Sequence, residues 1–531
     1  MMTSALKCRL AVIALLLVFF AQSFNSLRSQ SATFDEVQYF GIGKYLLTTQ
    51  KWDVMGAILH PPGGYYLSSL PLLCASQPAH VWEYDPQAVR DRFFLGAVDY
   101  YRGQTLLADA SNQGDRLLTA CRLTTLLVAL LLGWYVWRFG SELYGAAGGL
   151  TAVALFAFNP AMLAFSGLIV PDLPLTAFGF IAFYYLWRVT GVHGSQRDQI
   201  LCGLFLGLAL QAKFTAVLLI PLVVAVCLLE RRRRVPFGYR PLGVILGVAL
   251  LLLCLGYGFN LGPYFEGFAF QIDKSSVGQA AFLMGQHSDH GWWYFYPLAF
   301  LIKTPLGLTV MFLVFVAVLF RREHSSRRDS LLLIAPILTL VLAFSFSGGA
   351  IGFRYLLPVY PFMFVAAGSL CLQGTAIRNA AYALTVWCVL AGLWVSPHYL
   401  AYFNELVGGP SNGYRYLVDS NLDWGQDLIG LKRFMDRNGI KRVSLSYFGA
   451  DSPQRYGIDY DWLPSYYLQN PRPDEPVGPR PGQLLAISAT TLQGVYLDSP
   501  DQFAWLKKLQ PVAVVGHSIF IYDLDRQPGV R

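Results

Sequence analysis

Charged side chains are scarce in this chain. They make up 14% of its 531 residues, where a soluble protein carries roughly a quarter. With 55% hydrophobic residues and a mean hydropathy of +0.43, the deficit excludes an ordinary soluble enzyme and describes a polytopic α-helical membrane protein. Eight cysteines are present, yet none forms a CxxC or Cys/His spacing, and all but Cys74 fall in or beside apolar runs. Neither a disulfide framework nor a zinc site is expected. Internal repeats and low-complexity tracts are missing as well. The net charge of +8 would suit a nucleic-acid partner, but its distribution argues otherwise. Arg231–Arg234, Arg321-Arg322 and Arg327-Arg328 lie in short loops between apolar runs, as the positive-inside rule places them on the cytoplasmic side.

The apolar runs predict about 11 transmembrane helices. The first, residues 8–27, follows Lys7 and Arg9; its alternative is a cleaved signal peptide. A long first loop, 28–117, is rich in Tyr and Trp, and its apolar pieces such as Tyr65–Leu73 are too short to span, so they read as interfacial helices. Spans follow at about 118–138, 146–166 and 173–189. As one helix, residues 200–229 would run about 45 Å, well beyond a hydrocarbon core of about 30 Å. Two short spans broken at Gln211-Ala212-Lys213 keep the flanking basic loops on one side, and broken helices usually line a site. Further spans are expected at about 241–261, 297–320, 331–347, 355–373 and 380–397. The odd count puts residues 398–531 outside, as an α/β domain with strands at Val443–Phe448, Leu484–Ser488 and Val512–Val515 and a helix at Asp427–Asn438. Residues 1–397 form the membrane domain.

Several polar features stand out against this background. Asp35-Glu36 sits just past the first run; its plain reading is a solvated loop start, its functional one a pair of carboxylates at the membrane surface. Asp172, Lys213 and Arg354 return to that same outer face, although Arg354 could equally snorkel to headgroups. Carboxylates suit general-base work, and fixed cations suit a phosphate leaving group, with Arg offering two parallel bonds. His287-Ser288-Asp289-His290 invites a metal reading, but the Trp292-Trp293-Tyr294 run beside it fits an interfacial belt. Asp419-Ser420-Asn421-Leu422-Asp423-Trp424-Gly425-Gln426-Asp427 lacks the Gly and Glu of a calcium loop and reads as a turn and helix cap.

Four segments carry a resemblance: Phe34-Asp35-Glu36 after the first span, HPPGGYYL from His60 to Leu67, VPDLP around Asp172, and FRYLLPVYP from Phe353. In this order they resemble glycosyltransferase family 39, the polyprenyl-phosphate-dependent membrane transferases, over roughly residues 1–400. The resemblance implies the C-type glycosyltransferase (GT-C) fold and inverting transfer of a monosaccharide from a polyprenyl-phosphate donor to a glycolipid, envelope glycan or protein. It implies Asp35 as catalytic base, Glu36 as its neighbour and Asp172 as a second catalytic acidic position. It implies substrate binding by His60, Lys213, Arg354 and Tyr355, with no assigned metal ligand and a divalent cation left open. No nucleic-acid partner is implied, and the expected location is the bacterial cytoplasmic membrane with the site and C-terminal domain extracytoplasmic. No Asp-x-Asp of the nucleotide-sugar kind lies in the membrane part, which agrees with a lipid donor. The competing class is a transporter or flippase of a lipid-linked or anionic solute.

Overall fold

The computed structural model describes residues 4–52, 58–75, 95–191, 194–233, 239–319, 324–347, 349–350, 352–466, 479–480 and 482–526. Arg234, Arg321 and Arg322 of the basic loops lie outside the described residues. Helix α1 (Ser4–Ser29) is followed by α2 (Phe34–Thr49), α3 (Pro62–Ser69) and α4 (Leu95–Ala108). The interrupted apolar stretch of the first loop is thus helical but short, with a 3-10 turn at Leu70–Cys74.

The long element α5 (Gly114–Phe158) reverses at Gly145, whose φ of 72° only glycine adopts readily. The reversal is visible in the packing: Gly140 lies against Gly149 and Ala152, which a straight helix would hold about 13 Å or more apart along its axis. Two antiparallel helices therefore stand where two spans are expected. Next come α6 (Pro160–Ser166), α7 (Asp172–Val189) and α8 (Gln196–Ala212). Helix α8 ends where the break is expected, at Lys213, whose backbone is extended (φ −155°, ψ 141°). A 3-10 turn and α9 (Leu219–Arg233) continue from it, then α10 (Arg240–Gly256) and α11 (Gly262–Val277).

The expected single span at 297–320 is instead a pair, α12 (Phe295–Lys303) and α13 (Leu306–Leu319), bent by 115°. The cause is Pro305, which lacks an N–H and drives Thr304 out of the helical region, to φ −96° and ψ 134°. Helices α14 (His324–Ser345), α15 (Val359–Gly368) and α16 (Thr375–Trp394) complete the bundle. Among the described residues four helices are long and apolar enough to cross a membrane, with the bent pair a fifth and three shorter apolar helices beside them.

The C-terminal domain is built on a five-stranded mixed sheet. Its strands are β3 (Arg442–Ser446), β4 (Asp459–Trp462), β5 (Leu484–Ser488), β6 (Ala513–Val515) and β7 (Ile519–Asp523); β1 (Ala281–Leu283) and β2 (Gln286–Ser288) form a separate hairpin in the loop after α11. The order is β4-β3-β5-β7-β6, with β3 parallel to β4 and β5, and β7 antiparallel to β5 and β6. Strand alternation decides what each face covers. Ala486, Ile519 and Ile521 pack under α17 (Leu428–Arg437), while Leu485, Ile487, Phe520 and Tyr522 join the core of the helical bundle. The sheet is therefore fastened by one face to the membrane part. The three expected strands are all present; β4 and β7 of the sheet and the β1–β2 hairpin were not expected.

Candidate active site

The link Gln30-Ser31-Ala32-Thr33 between α1 and α2 is where the site begins. Thr33 caps α2 in a capping box: its backbone N–H and hydroxyl donate to the Glu36 carboxylate at 2.9 and 3.0 Å. Glu36 is fully buried. Its carboxylate also accepts from Arg122 (Nε 2.9 Å, Nη2 2.6 Å) and from the Ile169 N–H at 3.1 Å. Arg122 spends its remaining donors on the carbonyls of Leu27, Gln30 and Ser31. Glu36 is thereby consumed by structure. It rivets the α1–α2 joint to α5 and to the loop before α7, leaving Asp35 to point elsewhere.

Asp35 accepts from Arg354 Nη1 at 2.9 Å and is 23% exposed. Arg354 also stands 4.0 Å from Asp172, whose other oxygen takes Lys213 Nζ at 2.7 Å. Lys213 Nζ in turn lies 4.0 Å from the centre of the Tyr355 ring, a cation–π contact. Asp35, Asp172, Lys213, Arg354 and Tyr355, drawn from four distant parts of the sequence, thus form one cluster of two carboxylates and two cations. Asp172 is 2% exposed on its side chain, so Asp35 is the carboxylate an incoming molecule can reach. Several buried polar atoms at the cluster have no hydrogen-bond partner, among them Asp172 Oδ2 and Arg354 Nε. Unpaired buried groups are costly, and such a concentration marks a place where a ligand completes the bonding.

His60 lies beside this cluster. Its ring stacks on Tyr39 of α2 at 5.7 Å, and its Nδ1 is sealed without a partner. Burial, and after it the positive charges of Lys213 and Arg354, hold the imidazole well below its usual range, so it is neutral. The glycines that follow it have a packing reason. A Cβ on Gly63 would stand 2.7 Å from that of Gln211 and 3.0 Å from the Gln211 carbonyl oxygen. Only glycine lets α3 lie against the last turn of α8, two residues before Lys213.

The C-terminal domain reaches into the same place. The N–H of Phe34 donates to the carbonyl of Trp424 at 2.8 Å, and that of Ser31 to Gln426 at 2.9 Å. The Trp424 ring lies 4.3 Å from the Arg354 guanidinium carbon. Asn421 Oδ1 accepts from the N–H of Phe353, fixing the turn that carries Arg354. Lys303, buried at the end of α12, donates to the carbonyls of Leu400 and Asn421. Asp423 accepts from the Thr490 N–H at 2.8 Å, and Asp427 from Ser518 at 2.6 Å. Burial raises the Asp419 carboxyl to about 6 and that of Asp423 to about 7. This acidic run is a set of wired turns leading into α17, as expected, but Asp427 at the N-cap position gives its carboxylate to Ser518 and Gln426 and does not cap the helix with it. His287 bonds the carbonyl of Gln493 at 2.8 Å, and no group of three metal-binding side chains occurs among the described residues.

Sequence reasoning missed Arg122, Trp424 and Lys303. A charge inside the apolar run 118–138 was the signal for Arg122. Nothing local announces that Trp424 lies under Arg354.

Fold and cluster define a helical membrane protein whose buried polar cluster lies where the first loop, the broken α8 and the C-terminal sheet domain meet. Residues 113–256 match the family model described as dolichyl-phosphate-mannose-protein mannosyltransferase. In fold, the chain is similar to the crystal structure of ArnT from Cupriavidus metallidurans bound to undecaprenyl phosphate. The TM-score is 0.51 at 13% identity, over 98% of each chain. The apo form of that protein gives a TM-score of 0.50 at 11% identity, again over 98% of each chain. No curated protein sequence matches. The expected fold is borne out, that of a multi-pass helical membrane protein, and the resemblance read from the sequence agrees with the family model that residues 113–256 match.

Proposed function

We propose that the protein transfers a monosaccharide from a polyprenyl-phosphate donor to a hydroxyl or amine acceptor, with inversion, at the outer face of the cytoplasmic membrane. The observation that carries the reading is the cluster itself. A carboxylate that a solute can reach, Asp35, is held by Arg354 beside the cation Lys213, with donor and acceptor atoms left unpaired around them. A relative in fold was crystallised with undecaprenyl phosphate, which supports a lipid phosphate as the group these cations receive.

In this mechanism the acceptor oxygen or nitrogen attacks the anomeric carbon from the face opposite the phosphate. The carbon–oxygen bond to phosphate breaks and its electron pair leaves with the phosphate oxygen, stabilised by Arg354 and Lys213. The acceptor's proton passes to Asp35. Asp172 holds Lys213 in place, Tyr355 backs its ammonium, and neutral His60 offers a polar edge to the substrate. Glu36 serves by setting the α1–α2 turn that presents Asp35. The membrane domain is residues 1–397, with about 11 crossings, and 398–531 lies extracytoplasmic.

Purified protein given a panel of labelled undecaprenyl-phosphate hexoses and pentoses should release the sugar from at least one of them. Movement of intact donor across vesicle membranes without sugar release would favour the transporter class instead.

A further inference from the structure

Two buried arginines in this protein differ in what they leave open. Arg122 gives its Nε–Nη2 edge to Glu36 and its other donors to three carbonyls. Arg354, 9% exposed, gives Nη1 to Asp35, while its Nε is sealed from solvent and has no partner. Next to it the hydroxyl of Ser420, a fully buried residue, is likewise sealed and unpartnered. Both border the space left by the missing side chain of Gly352. A Cβ built there would stand 2.4 Å from Ser420 Oγ and 3.6 Å from Arg354 Cγ. Gly352 is extended (φ −159°), so its requirement for glycine is this close approach and not backbone strain. Beneath the guanidinium lies the Trp424 ring at 4.3 Å.

An unpartnered guanidinium Nε and an unused hydroxyl, both beside Gly352, are donors that one ligand could engage together. Two phosphate oxygens match the planar fork, and a third reaches the hydroxyl. A carboxylate ligand would fill the fork but leave the hydroxyl orphaned, and Asp35 already supplies the carboxylate on the opposite edge. We propose that the turn Asp419–Trp424 of the C-terminal domain is a wall of the donor site. Ser420 and the Nε side of the Arg354 guanidinium bind the lipid-linked phosphate together, and Trp424 is the positioning residue that holds the guanidinium flat for it. The identity of the ligand rests on the glycosyl-transfer reading; Ser420 and Trp424 are what the proposal adds.

The test uses the full chain in lipid nanodiscs, with undecaprenyl phosphate, undecaprenol and inorganic phosphate as probes. Ser420→Ala removes a hydroxyl that has no partner in the free protein. Its unfolding temperature should therefore hold or rise, while affinity for undecaprenyl phosphate falls about tenfold or more. Trp424→Ala should weaken binding similarly, and Trp424→Phe should recover most of it by keeping an aromatic platform. Parental affinity in Ser420→Ala beside a large loss in Arg354→Ala would overturn the proposal and leave the glycosyl-transfer reading intact. Parental affinity in both would overturn the phosphate assignment on which that reading depends. Undecaprenol binding as well as undecaprenyl phosphate would contradict a phosphate site, and inorganic phosphate binding as tightly as the lipid would contradict a lipid-linked one.

Discussion

Asp35 and Glu36 are neighbours in sequence with opposite fates, because successive residues in the first turn of a helix point about 100° apart. One faces Arg354 and stays partly exposed; the other is fully buried against Arg122. The motif was legible, but the division of labour within it was not, since it depends on Arg122, 86 residues away. Glu36→Gln leaves a buried guanidinium short of its counter-charge, and breaking such a pair costs about 3–5 kcal/mol. A marked fall in unfolding temperature is expected, larger than in Asp35→Asn, because Asp35 is 23% exposed and water can compensate Arg354 there; equal temperatures in the two variants would refute the assignment. Asp423 gives a pH test. Burial raises its folded carboxyl above the unfolded value, so between about pH 4 and about pH 7 the folded state holds more protons and stability falls as pH rises. Asp423→Asn keeps an acceptor for the Thr490 N–H without a charge to bury. The parent should therefore lose more melting temperature than the variant between about pH 5 and about pH 8, and identical slopes would contradict this.

Among the elements, breaks matter more than spans. The break at Lys213 was legible because a helix through it would be too long and would carry basic loops to both sides. The bend at Thr304-Pro305 was not, since the apolar run continues through it and a proline can also kink a helix without ending it. Structure also explains HPPGG as a packing motif: α3 must touch the last turn of α8. Gly63→Ala should therefore overpack that contact, at a cost of about 1–3 kcal/mol, and displace the residues leading into Lys213. Lower thermal stability together with weaker undecaprenyl phosphate binding is the expected pair of results. Full stability with normal binding would show that the contact relaxes without consequence.

At the scale of the molecule, the C-terminal domain proves inseparable from the site. Its presence and most of its strands could be read from turns and alternation. Its place could not, because the bonds from Ser31 and Phe34 to Gln426 and Trp424 join segments nearly 400 residues apart with no local signal. A chain ending at residue 397 should lack a folded site, and co-expressing 398–531 should restore little unless the two halves dock. A cysteine replacing exposed Asp436 on α17 should react with an impermeant maleimide in intact cells; labelling only after lysis would place the domain on the other side. The central claim is that Asp35 takes the acceptor's proton during sugar transfer. Its most direct test is single-turnover sugar release from a saturating labelled undecaprenyl-phosphate donor by the parent and by Asp35→Asn, with donor binding measured in parallel. The account predicts unchanged donor binding and release at least about a hundredfold slower; near-parental release by Asp35→Asn would contradict it.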